Sequence, residues 1–237
     1  MKAVFVADAH LKGLDDPNQR LLCAFLEGLN DIDILFIVGD LFEFWTGYNK
    51  VLYRQFSPVI EKLIKLKNRG TRIIYVEGNH DFSIGPFFKA RMGADVYPDS
   101  AIIFMDGNKL YLSHGDIIDR RTRYVLWRWF LRSPLFRLIN SIVPSSYGWK
   151  VAMMLSKRSR RYMERGVIVE RLLREYARNK IKEGFDIIVM AHSHLACISK
   201  EAVDGRDGLY ANPGDWAGDH NYLVYEDGKF RVEKFNE

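Results

Sequence analysis

The stretch Ile34-Leu35-Phe36-Ile37-Val38-Gly39-Asp40 decides the fold, because five consecutive apolar residues end at a glycine and a carboxylate. Such an uninterrupted run predicts a strand covered on both faces, as the strands of parallel sheets are. Four further runs share this short and largely apolar character, namely residues 3–6, 72–76, 109–112 and 186–190. Polar residues follow every run, so the chemistry of this layered α/β protein is expected at the carboxyl ends of its strands.

The segments between these runs contain periodic and turn-forming patterns. Residues 18–30 and 58–67 carry apolar side chains at helical spacing, which predicts crossover helices. Residues 81–98 predict a loop and a short helix. Asp106-Gly107-Asn108 predicts a hairpin turn between strands over 101–105 and 109–112, and the tail over 209–235 predicts more strands with a turn at 226–229.

Short polar motifs after the runs hold five of the six histidines. They are Asp8-Ala9-His10, Gly39-Asp40, Gly78-Asn79-His80-Asp81, His114-Gly115-Asp116 and His192-Ser193-His194. Because each motif follows a predicted strand, we expect their side chains to meet at one edge. Carboxylate, amide and imidazole ligands together suit manganese, iron or zinc better than magnesium or calcium. The ordered set therefore predicts a site for two divalent ions.

The first ion is expected to bind Asp8 and His10, which would point to the same side of an extended segment, and also His194. Asp40 is expected to bridge both ions, because an oxygen ligand tolerates two cations better than imidazole does.

The second ion is expected to bind Asn79, His114 and His192. Asp81 and Asp116 are expected to orient ligands or cap loops. His220 lies outside every motif and is expected to be a surface or structural histidine.

The ordered motifs resemble those of the calcineurin-like metallophosphoesterases: Asp-x-His, Gly-Asp, Gly-Asn-His, a lone His and Gly-His-x-His. The resemblance covers nearly the whole chain and departs at Ala191, where the family usually has glycine. It implies an α+β fold, a β-sandwich flanked by helices, and hydrolysis of phosphoric esters or pyrophosphates by two metal ions. For catalysis it implies Asp40 and also His80, which would stabilise charge on the phosphoryl oxygens or protonate the leaving group.

Four stretches are similar to one group of that family, the UDP-2,3-diacylglucosamine diphosphatases of lipid A synthesis. They are residues 40–45, 78–82, 114–116 and 212–216, although His80 stands where that group has arginine. The similarity implies cleavage of UDP-2,3-diacylglucosamine to UMP and 2,3-diacylglucosamine 1-phosphate, or cleavage of a related nucleotide-linked lipid.

Charge is distributed unevenly along a chain whose net charge is +5. Residues 120–182 are strongly basic and rich in large apolar side chains, whereas the remainder is net acidic. We interpret the chain as one domain, residues 1–237, with a helical insertion at about 120–183 that breaks near Pro134, Pro144 and Gly166. A basic and aromatic insertion suits an anionic lipid or a membrane surface. The expected substrate-binding residues are Asn79, His80, Lys157, Arg158, Arg160 and Arg161, although these helices could instead simply cover the sheet.

Other interpretations use the same residues. A nuclease or general phosphodiesterase could share the metal site and bind nucleic-acid phosphate through the basic segment, but the aromatic and aliphatic density of that segment favours lipid. A non-catalytic scaffold would be expected to lack ligands, and here none is missing. Two cysteines form no disulfide framework or zinc-finger spacing, and we expect no leader or spanning segment, which favours a cytoplasmic protein. Peripheral association with the inner membrane is expected because the implied lipid substrate is located there. The sequence predicts no oligomeric state.

Overall fold

A computed structural model of the chain describes residues 1–46, 50–119, 122–133, 135, 136, 138 and 166–236. Its strands are β1 Lys2–Val6, β2 Ile34–Val38, β3 Trp45–Thr46, β4 Arg72–Val76, β5 Asp81–Phe82, β6 Asp95–Tyr97, β7 Ser100–Met105, β8 Asn108–Ser113, β9 Ile187–Met190, β10 Cys197–Val203, β11 Arg206–Asn212, β12 Asn221–Glu226 and β13 Lys229–Lys234. Its helices are α1 Pro17–Gly28, α2 Lys50–Asn68, α3 Gly85–Met92, α4 Thr122–Leu131 and α5 Gly166–Lys182, with a 3-10 turn at Asp116–Ile118.

Two sheets form the centre of the fold. One has six strands in the order β13-β12-β1-β2-β4-β6, and the other has five in the order β10-β11-β9-β8-β7. β1, β2, β4 and β6 are mutually parallel in the first sheet. In the second sheet β8, β9 and β11 are parallel. β3 and β5 form a separate two-stranded pair.

The core lies in three layers of apolar contacts. Side chains such as Phe5, Phe36 and Leu112 fill the space between the two sheets. α1, α2 and α3 cover the outer face of the six-stranded sheet. α5 covers the five-stranded sheet with Leu173, Ala177 and Ile181, which recur at helical spacing. The predicted β-sandwich flanked by helices is therefore confirmed.

Most predicted elements are confirmed, but α2 begins at Lys50, eight residues before the predicted start. The prediction began at Pro58 because the apolar side chains at helical spacing were recognised only from Val59 onward. In the structure the Ser57 hydroxyl donates to the Arg54 carbonyl at 3.3 Å, which satisfies the acceptor that proline cannot reach. Phe56 is fully buried and anchors this early part of the helix.

Both hairpins are confirmed, with Asp106-Gly107 as the two-residue turn between β7 and β8. The short strands β5 and β6 lie where only a loop and a helix were predicted, and the edge strand β10 was not predicted. Of the expected insertion, α4 and α5 are described, α5 begins at the expected Gly166, and Pro134 and Pro144 lie outside the described residues. No helix among the described residues is long and apolar enough to cross a bilayer.

Candidate metal centre

The predicted ligands meet where strand ends of both sheets face each other. Asp8 follows β1, Asp40 follows β2, and Asn79 follows β4, all in the six-stranded sheet. His114 follows β8, while His192 and His194 follow β9 in the five-stranded sheet. Asp8, Asp40 and His114 are completely or almost completely buried. Closing the sandwich therefore brings together residues that are far apart in sequence.

Asp8 lies between two imidazoles. Its Oδ1 is 3.6 Å from His10 Nε2 and 3.5 Å from His194 Nε2. That oxygen is buried and accepts no hydrogen bond from any residue that the structure describes. Its other oxygen accepts a hydrogen bond of 3.0 Å from the His192 backbone N–H, which fixes the carboxylate. Asp8 Oδ1 is thus a buried anionic atom with no donor, as expected of a metal ligand.

Asp40 occupies the middle of the cluster. Its Oδ2 lies 3.4 Å from His114 Nε2, 3.9 Å from His10 Nε2 and 4.0 Å from His80 Nε2. Its Oδ1 accepts a hydrogen bond of 2.9 Å from the His80 backbone N–H. One oxygen of Asp40 therefore faces imidazoles contributed by both sheets, the position that a bridging carboxylate requires.

A second group of lone-pair atoms surrounds His114. Its Nε2 lies 3.2 Å from Asn79 Oδ1 and 3.2 Å from His192 Nδ1. The rings of His114 and His192 meet edge to face with centroids 5.0 Å apart. The structure thus brings together all seven predicted ligands: Asp8, His10, Asp40, Asn79, His114, His192 and His194.

The remaining ring nitrogens fix how the imidazoles are oriented. Nδ1 of His114 donates to the Val38 carbonyl at 2.9 Å, and Nδ1 of His194 donates to Asp215 Oδ2 at 3.2 Å. Nδ1 of His80 donates to the Glu43 carbonyl at 3.0 Å. Each of these bonds leaves Nε2 facing the buried aspartates, the arrangement that metal-binding histidines usually show.

These separations fit metal ligation better than direct hydrogen bonding. The ion-pair distances around Asp40, 3.4–4.0 Å, are longer than the donor–acceptor distance of about 2.7–3.2 Å in a usual N–H···O hydrogen bond. Two atoms that each bind one ion at about 2.1 Å are separated by about 3–4 Å, depending on the angle between the bonds. Together with the donorless Asp8 oxygen, this spacing and this donor set fit divalent metal ions.

Electrostatics keep the two aspartates anionic. Burial alone would raise the pKa of Asp8, but the imidazoles of His194, His10 and His114 hold it well below its usual range. The pKa of Asp40 is likewise lowered, because His114, His80 and His10 outweigh its burial. Both carboxylates are therefore ready to bind cations at neutral pH.

The pKa values of His194 and His192 are shifted in opposite directions. His194 is buried, which would lower its pKa, but Asp8 and Asp215 raise the pKa to about 9. Burial and the charge of His114 lower the pKa of His192 to about 4. A metal ion competes with the proton for each ring nitrogen, so metal binding here depends on pH.

The backbone of the ligand turns is left-handed at five ligand positions. The φ angles are 51° at Asp8, 45° at His10, 54° at Asp40, 72° at His192 and 64° at His194. The expectation that Asp8 and His10 lie on an extended segment is therefore wrong. They converge because two left-handed residues fold the chain sharply after β1, at a conformational cost of about 1 kcal/mol or more each.

Asp81 joins the turn after β2, which carries Asp40, to the turn after β4, which carries Asn79. Its carboxylate accepts backbone hydrogen bonds from Gly78 at 2.9 Å, Asp40 at 3.0 Å and Leu41 at 2.7 Å, and one from the Tyr75 hydroxyl. Burial and the charge of Asp40 raise the pKa of Asp81 to about 7. The loop-capping role predicted for Asp81 agrees with these contacts.

The other predicted residues are placed as follows. Asp116 accepts from the Tyr124 hydroxyl at 2.6 Å and pairs with Arg128 at 3.1 Å, both on α4. His220 packs against Trp216 and lies 3.5 Å from Asn18, so it belongs to the framework of the fold. The expected substrate-binding residues Lys157, Arg158, Arg160 and Arg161 lie outside the described residues.

Three acidic residues that contact this part of the described site carried no predicted role. Glu43 approaches His10, with Oε2 at 3.9 Å from Nδ1, and Asp215 binds His194. Glu170 binds Ser193, between two predicted ligands. Glu43 and Asp215 lie in two of the stretches quoted for the family resemblance, which was the available signal. Glu170 had none, because only tertiary structure brings α5 to this turn.

Comparisons with known proteins agree with this geometry. Residues 1–196 match the family model of the calcineurin-like phosphoesterases. The chain is 29% identical to a UDP-2,3-diacylglucosamine hydrolase of Aeromonas salmonicida, over 99% of this chain and 93% of the relative. It is 30% identical to a protein of that name from Pseudomonas aeruginosa, over 91% of each chain. A solved archaeal phosphodiesterase matches with a TM-score of 0.52 and 17% identity, over 99% of this chain and all of that chain, which shows a shared fold.

Proposed function

This chain belongs to the calcineurin-like phosphoesterase family of metal-dependent hydrolases, and on that premise we propose that it cleaves the diphosphate of UDP-2,3-diacylglucosamine. The products would be UMP and 2,3-diacylglucosamine 1-phosphate. The observation that carries hydrolysis is the position of Asp40 Oδ2, which faces the imidazoles of His114, His10 and His80 at 3.4–4.0 Å. Support for the substrate comes from relatives named for it that align over nearly the whole chain.

The proposed ligands divide into two sets that share Asp40. Asp8, His10 and His194 would hold one ion with Asp40, and Asn79, His114 and His192 would hold the other. Manganese is the proposed metal, with iron or zinc as alternatives, because the set mixes imidazole nitrogen with carboxylate and amide oxygen. When bound, such ions act as Lewis acids that activate water and neutralise phosphoryl charge.

His80 is the proposed group that acts on the substrate directly. Its Nδ1 is committed to the Glu43 carbonyl, so Nε2 is presented to the cluster at 4.0 Å from Asp40 Oδ2. The side chain retains 17% of its exposure, whereas His114 is fully buried. His80 would therefore contact the phosphoryl oxygens and stabilise their charge, or protonate the leaving group.

The described part of the expected insertion supports a lipid substrate. On α4, Leu126, Trp127 and Trp129 are 60%, 50% and 72% exposed. Exposed aromatic and aliphatic side chains together on a basic segment suit an acylated ligand or a bilayer surface. We propose that the enzyme works in the cytoplasm, peripherally at the inner membrane, where a nucleotide-linked glycolipid is accessible.

The test is hydrolysis of UDP-2,3-diacylglucosamine by the full chain with Mn²⁺. Bis-p-nitrophenyl phosphate and single-stranded DNA are assayed alongside. Release of UMP that chelator abolishes is the expected result, and turnover of the generic diesters or DNA alone would overturn the proposed substrate. Asp40→Asn should remove activity with little loss of fold. Asp207→Asn, an exposed aspartate on β11, is the matched control that should retain activity.

A further inference from the structure

Four side-chain donors converge on one carboxylate outside the predicted ligand set, that of Glu170 on α5. Its Oε2 accepts from Ser193 Oγ at 2.6 Å, Asn212 Nδ2 at 3.0 Å and the Tyr210 hydroxyl at 3.2 Å. Its Oε1 accepts from Cys197 Sγ at 3.1 Å. These four contacts hold the Glu170 carboxylate in one geometry, so that it can in turn fix the position of its partners.

Ser193 is the partner that matters for the metal centre, because it lies between His192 and His194. Its hydroxyl donates to Glu170 and also accepts from Asn212 Nδ2 at 2.9 Å and from the Leu195 N–H at 3.3 Å. Because the Ser193 hydroxyl donates one hydrogen bond and accepts two, it has no freedom to rotate. The two flanking histidines have left-handed backbones, with φ of 72° and 64°. An outside contact is therefore needed to hold this strained turn in place.

The first turns of α5 contact the histidine turns at two further points. A Cβ at Gly166 would lie 3.0 Å from the Ser193 carbonyl oxygen, so helix and turn are in close contact there. A Cβ at Gly115, the residue after His114, would lie 2.8 Å from Leu173 Cδ2. The N-terminal half of α5 thus packs against the turns that carry His114, His192 and His194.

We propose that Glu170 is a positioning residue, which sets His192 and His194 for metal binding through the Ser193 hydroxyl. This inference rests on the proposed dinuclear centre. Glu170 touches neither the substrate nor a metal ligand's ring in this arrangement. It acts as a hydrogen-bond acceptor, so the geometry of its oxygen matters more than its charge. Because His192 and His194 are assigned to different ions, the loss of Glu170 weakens both.

If Glu170 affects metal binding, metal binding must also affect Glu170 and α5, since coupling between two sites is reciprocal. Metal binding that fixes the His192-Ser193-His194 turn also fixes Glu170 and the start of α5. Backbone amides over residues 166–173 should then exchange more slowly when metal is bound. If Glu170 served only to stabilise α5, Glu170→Ala would leave this metal-dependent protection as it is in the wild type.

The experiment measures Mn²⁺ binding to metal-free full-length protein by calorimetry. We expect Glu170→Ala to weaken affinity by about 10–100-fold, the usual effect of removing a group that orients metal ligands. Glu170→Gln should stay within about threefold of wild type, because its amide oxygen can accept the three donors now on Oε2 while its NH₂ faces Cys197. Glu175→Ala, which removes an exposed glutamate from the same helix, is the matched control with unchanged affinity.

The outcomes separate the inference from the proposed function. Wild-type Mn²⁺ affinity in Glu170→Ala, with wild-type metal-dependent protection of residues 166–173, overturns the positioning role alone. A wild-type protein that binds no Mn²⁺, Fe²⁺ or Zn²⁺ overturns the metal centre and this inference with it. If Glu170→Ala does not fold, Ser193→Ala removes only the hydroxyl. It should weaken Mn²⁺ binding by about tenfold, and unchanged binding would reject the proposal.

Discussion

Replacement of Gly78 by alanine should disable the metal centre through a single added methyl group. A Cβ built at Gly78 lies 2.0 Å from Asp40 Oδ1, 2.7 Å from the Asp40 backbone nitrogen and 2.8 Å from Asp40 Cγ. The backbone nitrogen cannot retreat, because it donates to Asp81 Oδ1 at 3.0 Å. The Asp40 carboxylate must therefore move, which breaks its bond from the His80 N–H and removes Oδ2 from the middle of the cluster.

The magnitude follows from two effects. Overpacking a tight interior costs about 1–3 kcal/mol. A hydrogen bond to a charged group contributes about 1.5–3 kcal/mol. We expect Gly78→Ala to lower the free energy of unfolding of the metal-free protein by about 2.5–6 kcal/mol, measured by urea denaturation. Turnover should fall at least 100-fold, since a displaced carboxylate can no longer serve both ions.

Gly28→Ala is the matched control for this substitution. Gly28 is exposed at the end of α1, has no atom within 4 Å of a built Cβ and does not have a left-handed backbone. An alanine there should stabilise the protein by about 0.4–1 kcal/mol and leave turnover unchanged. Wild-type turnover and full metal stoichiometry in Gly78→Ala would refute the view that Asp40 must occupy its present position.

The remaining predictions concern pH, metal and His80. The metal-free protein should lose stability as pH rises from about 6.5 to about 9, because the folded state holds the His194 proton more tightly than the unfolded chain does, and urea midpoints should fall over that range. Asp215→Asn should flatten this dependence, since it removes one of the three carboxylates, those of Asp8, Asp215 and Asp40, that raise the pKa of His194; an unchanged slope would contradict the assignment. Mn²⁺ at 100 times its Kd should raise the free energy of unfolding by about 2.7 kcal/mol for each ion bound, while chelator reverses the gain; equal thermal midpoints with and without metal would argue against the site. His80→Ala should lower kcat by about 10²-fold with metal content intact, and His80→Arg should retain more activity than alanine, because guanidinium also binds phosphoryl oxygens.

The strands and ligands were predictable because both depend on local sequence. A buried parallel strand is apolar along its length, so runs such as Ile34–Val38 are recognisable without a partner. The sheet sets the position of the ligands that directly follow such runs. The start of α2 was not predictable, since the acceptor that Pro58 leaves open is satisfied by Ser57, an arrangement that periodicity does not reveal.

The groups that support the ligands were harder to predict, because their partners lie far away in the chain. Asp215 reaches His194 only after the five-stranded sheet has formed, and Glu170 reaches Ser193 only when α5 packs on that sheet. The left-handed turns at Asp8 and His10 were also missed, since non-glycine residues adopt this backbone only when tertiary contacts hold it there.

The ligands come together only where the two sheets pack against each other. The Asp8 carboxylate after β1 accepts from the His192 N–H after β9, and His114 after β8 donates to the Val38 carbonyl of β2. Each bond joins the two sheets at the ligands themselves. A built Cβ at Gly39 would lie 2.6 Å from His114 Nδ1, so even one methyl group would push the sheets apart. Metal bound between the sheets would therefore stabilise the fold against unfolding, and substitutions that loosen the apolar layer around Phe5 and Phe36 should weaken metal binding without touching a ligand.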